Sequence, residues 1–150
     1  MSVSIGIDPG KTGAIAVMDD DGILCLEQFN VDKYVDVLSY VGQSTSAKDI
    51  KVCLEKVGAM PGQGVVSMFN FGHNLGVIEG ILSALRIPYQ LVPPQTWKKE
   101  FSLTGDKAKS IEVCKKLFPW VDLRATERSR KPSDGLAEAL LLAEYARRRM

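Results

Sequence analysis

Short apolar runs broken by glycine and aspartate open this chain. Val3-Ser4-Ile5-Gly6-Ile7-Asp8 is one such run, closed by an acid and followed by Pro9-Gly10-Lys11-Thr12-Gly13. Apolar runs of this length bounded by turn residues predict strands. Residues 3–8, 13–18 and 23–29 read as three strands, joined through the Gly10–Gly13 turn and through Asp19-Asp20-Asp21-Gly22. Connections this short join antiparallel neighbours. Val31, Tyr34, Val35, Leu38 and Val41 then recur at helical spacing, predicting a helix over 31–42 before a polar loop at 43–49. Residues 50–57 are apolar at most positions and predict a strand buried on both faces.

The second half alternates. A glycine-rich loop at 58–64 leads into an amphipathic helical pattern over 65–85, with Phe69, Leu75, Ile78, Ile81, Leu82 and Leu85 as its apolar positions. Residues 88–92 read as a fifth strand, closed by Pro93-Pro94, and 95–101 as a short basic-aromatic segment. Residues 106–117 predict a helix capped by Asp106 and ended by Pro119. A polar linker spans 121–131, and a last helix, 133–149, is capped by Ser133. The order β-β-β-α-β-α-β-α-α predicts an α/β fold: a mixed five-stranded sheet with helices on both faces. At 150 residues this is one domain, 1–150.

Four carboxylates stand out against that pattern. Asp8 and Glu55 each end an apolar strand, and Asp134 and Glu138 lie one turn apart on the last helix. Like charges at this spacing repel unless a cation lies between them. An acid in a buried strand is costly unless paired. Carboxylate clusters of this kind suit hard divalent ions such as Mg²⁺ or Mn²⁺, which share their remaining positions with water and phosphate. The chemistry indicated is phosphodiester hydrolysis. His73, the only histidine, is a candidate general base but more often such a residue is structural.

Charge changes the picture slightly. Residues 1–97 carry 6 Lys/Arg against 10 Asp/Glu, and residues 98–150 carry 13 against 8. A basic C-terminal third points to a polyanionic partner. Trp97 with Lys98 and Lys99, and Lys107 with Lys109, are candidate phosphate contacts; Phe69 and Phe71 are candidates for stacking on bases or for the core. Arg147-Arg148-Arg149 reads as a frayed, solvated tail. Cys25, Cys53 and Cys114 show no metal or redox spacing and read as reduced. Met1-Ser2-Val3 running straight into a strand predicts no leader, no apolar stretch is long enough for a bilayer, and a cytoplasmic location is expected.

Taken together the motifs resemble the RuvC family of Holliday-junction resolvases. The residues that carry the resemblance are Ile5-Gly6-Ile7-Asp8-Pro9-Gly10-Lys11-Thr12-Gly13, Leu54-Glu55-Lys56-Val57, Val92-Pro93-Pro94-Gln95-Thr96-Trp97-Lys98-Lys99 with Thr104-Gly105-Asp106-Lys107-Ala108-Lys109, and Ser133-Asp134-Gly135-Leu136-Ala137-Glu138-Ala139-Leu140. The ordered set spans nearly the whole chain and is most similar to the phage branch. The resemblance implies an RNase H-like fold, a homodimer, and nicking of four-way DNA junctions with Mg²⁺ or Mn²⁺, two ions per subunit and no nucleotide cofactor. It also implies that Asp8, Glu55, Asp134 and Glu138 are the metal ligands and catalytic acids. Two departures stand out. The last acidic pair is Asp and Glu at i, i+4 rather than two Asp at i, i+3. The phenylalanine that follows the second acid in bacterial members is absent, leaving Met60 and Phe69 as candidates to contact the junction centre. The helix 69–85, with Gly72, Gly76 and Gly80, is the expected dimer contact. Competing readings are an RNase H-fold nuclease on flaps, forks or RNA, a phosphate-binding domain of the actin and sugar-kinase type, and a DNA-structure-binding protein without catalysis.

Overall fold

β1 (Val3–Asp8) lies at the centre of a five-stranded sheet. The other strands are β2 (Ala14–Asp19), β3 (Gly22–Gln28), β4 (Ile50–Glu55) and β5 (Gln90–Val92), in the order β3-β2-β1-β4-β5. The computed structural model describes residues 2–58 and 61–150. β1–β2 and β2–β3 are antiparallel, as their short connections demand, and β1–β4 and β4–β5 are parallel. Strand β4 is buried on both faces as expected, but ends at Glu55 rather than at residue 57, and β5 is cut to three residues.

Helices cover both faces. α1 (Val31–Ser44) and α2 (Val65–Ala84) pack on the face formed by Val3, Ile5, Ile7, Val52 and Leu54, through Tyr34, Leu38, Val41, Ile78 and Leu82. α3 (Pro94–Glu100), α4 (Lys107–Leu117) and α5 (Asp134–Arg149) cover the other. Asn30, Asp106 and Ser133 cap α1, α4 and α5 with side-chain oxygens that accept from backbone N–H groups. α3 is a helix the sequence pattern did not predict. Its Pro93-Pro94 start, read as the end of a strand, also places a proline at N1, a favoured helix start.

α5 is the best-buried helix, with nearly every residue from Gly135 to Glu144 out of solvent. It lies so close to β1 that a Cβ on Gly6 would sit 2.2 Å from the Ala139 carbonyl oxygen and from the Ala143 nitrogen. Only glycine permits that approach. α2 behaves differently. Its sequence is apolar around the whole circumference, not along one stripe, and only its C-terminal half docks on the sheet. Val65, Val66 and Phe69 remain 85 %, 72 % and 74 % exposed.

The expected frayed tail is helical to Arg149 and ion-paired, while its arginines stay exposed. Arg147 and Arg148 bond to the buried Glu144, while Arg148 and Arg149 reach Glu100 at the end of α3, at 3.3 and 2.5 Å. Arg148 and Arg149 clasp α5 to α3, while Arg147 pairs within α5. No helix among the described residues is long and apolar enough to cross a membrane.

Candidate metal centre

Strand alternation puts Asp8 on the face of Gly6, and Glu55 on the face of Cys53, which is the face covered by α5. The parallel register pairs Ile7 with Leu54, so the two acids end neighbouring strands side by side. Glu138, one turn into α5, meets them there. Carboxylate oxygens of Asp8, Glu55 and Glu138 all lie within 4.8 Å of one another, and all three residues are buried.

Each acid is fixed by local structure. The Gly10 N–H donates to Asp8 Oδ1 at 3.0 Å, and the turn closes through Gly13 N–H to the Gly10 carbonyl at 2.9 Å. The first turn of α5 sits against this turn: a Cβ on Gly135 would lie 1.8 Å from the Thr12 carbonyl oxygen. Glu55 Oε2 accepts from Trp97 Nε1 at 2.7 Å. Trp97, taken from the sequence as a phosphate contact, is fully buried and cannot reach solvent.

The cluster is short of positive charge. Burial pushes the Glu55 carboxyl up to about 7, the Asp8 charge adding to this, against the Trp97 hydrogen bond and the charges of Lys98 and Lys107. Burial, then the charges of Asp8 and Glu55, push Glu138 up to about 8. Asp8 is raised as well, by burial, against the Gly10 N–H and a hydrogen bond with Glu138. An all-oxygen set of three buried acids, each held above its ordinary range by desolvation and its neighbours, fits a hard divalent cation.

Asp134 stands apart from this trio. It forms an ion pair with Lys107 Nζ at 2.7 Å, and is partly exposed. The Asp134 charge, one turn from Glu138, is thus countered by a lysine from α4. Lys107 thereby lies in the field of Asp8 and Glu138, its pKa raised first by the Asp134 hydrogen bond. Lys98 is half-buried, with its Nζ 5.5 Å from the centroid of the Trp97 ring. Lys109 is exposed on α4, Phe69 and His73 are exposed on α2, and Phe71 is half-buried. Met60 lies outside the described residues.

No family model matches the chain, and no curated protein matches its sequence. Solved structures that share its fold include two of RuvC. One is T. thermophilus RuvC in complex with Holliday junction substrate, with a TM-score of 0.65 and 16 % identity, covering 97 % of this chain and 92 % of that one. The other is a Thermus thermophilus RuvC structure, with a TM-score of 0.63 and 19 % identity, covering 95 % and 92 %. At such identities the likeness is one of fold: a RuvC-like mixed sheet between two helical layers.

Proposed function

We propose that this protein is a divalent-metal-dependent endonuclease that resolves four-way DNA junctions by paired symmetric nicks leaving 5′-phosphates. The observation that carries the reading is the Asp8, Glu55 and Glu138 cluster at the carboxyl ends of β1 and β4, in a fold shared with a RuvC solved on a Holliday junction. These three acids would hold Mg²⁺ or Mn²⁺, and Asp134 would join them as the fourth ligand on leaving Lys107, completing a site for two ions. When bound, the ions supply activation of the attacking water and stabilisation of the leaving oxygen.

The chain's own residues do the rest. Buried Gly6 and Gly135 contacts hold α5 at a fixed height over the strand ends, so Glu138 meets the other two acids without adjustment. Lys98 on α3 and Lys107 on α4 lie in the field of the acids, Lys109 follows on α4, and the three would hold flanking phosphates through salt-dependent contacts. Lys107 is suited to exchange its Asp134 partner for a phosphate. Phe69 and Met60 are the proposed contacts to the junction centre.

A homodimer would set two such sites for paired cuts. The exposed Val65, Val66 and Phe69, with open space beside Gly72, Gly76 and Gly80, support α2 as its contact. The test is cleavage of a labelled four-way junction with Mg²⁺, Mn²⁺ or EDTA, beside flap and linear duplex controls. Paired, metal-dependent nicks in the junction alone are expected. Equal cutting of flaps would replace this with a looser branched-DNA nuclease, and cutting of RNA alone would overturn the DNA assignment.

A further inference from the structure

Among the described residues, Trp97 is the one side chain outside the acidic cluster that touches Glu55 by a hydrogen bond, and its position is set by the sheet. β5 pairs with β4 so that Val92 lies beside Glu55, and α3 starts two residues later at Pro94. Trp97, within the first turn of α3, is therefore carried back over Glu55. Its ring packs edge-on against Phe101, with centroids 6.5 Å apart, in the core beneath α5. The far end of α3 is tied through Glu100 to Arg148 and Arg149 of α5, the helix that also carries Glu138. α3 is thus tied to Glu55 through Trp97 and to the last turn of α5 through Glu100.

The indole N–H is donor-only, so it can bond to Glu55 solely by giving a proton to Oε2. A carboxylate near the end of a flexible side chain has several rotamers, and a buried donor at 2.7 Å selects one. It leaves Oε1 and the second lone pair of Oε2 free to face Asp8 and Glu138. Hydrogen bonds to metal-binding side chains orient those ligands and tune their strength, and losing one costs roughly 10–100-fold in metal affinity.

We infer that Trp97 is a positioning residue for the metal centre, its indole N–H fixing the Glu55 carboxylate in the orientation that binds a divalent cation. This rests on the proposed metal site. The ring itself has a separate, purely structural role in the core, and the two roles are separable by experiment.

The test is titration of the full chain with Mn²⁺ alone, followed by electron paramagnetic resonance of the free ion, without DNA. Trp97→Phe keeps much of the ring and removes the donor. Replacing Trp97 by 3-benzothienylalanine, which puts sulfur where the N–H stands, removes the donor at constant shape and serves if the phenylalanine variant fails to fold. Either is expected to weaken Mn²⁺ binding roughly tenfold or more. In a Glu55→Ala background the same change is expected to leave the residual affinity unaltered, since the group it orients is gone. Unchanged Mn²⁺ affinity in the benzothienyl variant, or an equal loss in both backgrounds, overturns the inference while the metal site stands. A wild-type protein that binds no Mn²⁺, or whose binding ignores Asp8→Asn, overturns the metal site and the inference together.

Discussion

Glycine has opposite meanings on the two faces of this sheet. Under α5, Gly6 and Gly135 are packed against backbone, and any Cβ there would overlap a carbonyl oxygen or an amide nitrogen. On α2, Gly72, Gly76 and Gly80 recur every four residues and have nothing within 4 Å of where a Cβ would stand. One face is closed and sets the height of Glu138 over the strand ends. The other is open along half a helix, beside three exposed apolar side chains. The same residue type thus marks a filled contact in one layer and open space in the other.

The largest effect should come from the closed side. Glu138→Gln keeps the shape of the side chain and removes the charge. Single-turnover junction cleavage is expected to fall roughly a thousandfold or more, the loss of several kcal/mol of transition-state stabilisation. Near-normal rates in a folded Glu138→Gln protein would detach α5 from the chemistry.

Next come the glycines of that face. Gly6→Ala and Gly135→Ala force backbone apart, and each is expected to cost about 3 kcal/mol or more in urea unfolding. If either were neutral, the tight seating of α5 would be wrong.

Acidity offers a probe of the same layer. Glu55 and Glu138 have folded-state pKa values of about 7 and about 8, above their ordinary range near 4.5. Between those limits the native state holds more protons than the unfolded chain, so stability falls as pH rises. Metal-free protein should therefore be more stable at pH 5 than at pH 8.5, by on the order of 3 kcal/mol from Glu55 alone. Mg²⁺ or Mn²⁺ should restore much of that loss at pH 8.5. A flat pH profile in EDTA would show that the acids are not crowded as described.

The open side should respond weakly and in the other direction. Gly76→Ala lies in a helix interior with free space and is expected to stabilise an isolated subunit by up to about 1 kcal/mol. Phe69→Glu should change subunit stability by no more than about 0.5 kcal/mol, yet shift sedimentation from dimer to monomer. A monomer in both wild type and variant would leave α2 without the partner proposed for it.

The strands and most helices were legible because their periods of two and 3.6 are local. Asp8, Glu55 and Glu138 were legible for a related reason: each ends an apolar strand or adjoins an apolar helical run, where an unpaired acid stands out. Asp134 shows where local reasoning stops. Its spacing from Glu138 does not reveal that Lys107, on another helix, pairs with it. Trp97 was hidden for the same reason: its partner is 42 positions away, and the proline pair before it was read as a strand end. The C-terminal arginines looked solvated because Glu100, which binds two of them, is distant in sequence.

The parallel register of β1 and β4 has a consequence for how the protein folds. Val3 pairs with Ile50, so that ladder cannot form until a long loop has closed, at an entropic cost that hairpins such as β1–β2 avoid. The meander of β1, β2 and β3 is thus expected to form early and to contain Asp8 alone. A slip of one residue in the later pairing would turn Glu55 toward α1 and α2. The proposed ion site would be complete only when this alignment is correct, and a cation that binds this state at a hundred times its Kd would favour it over slipped ones by about 2.7 kcal/mol.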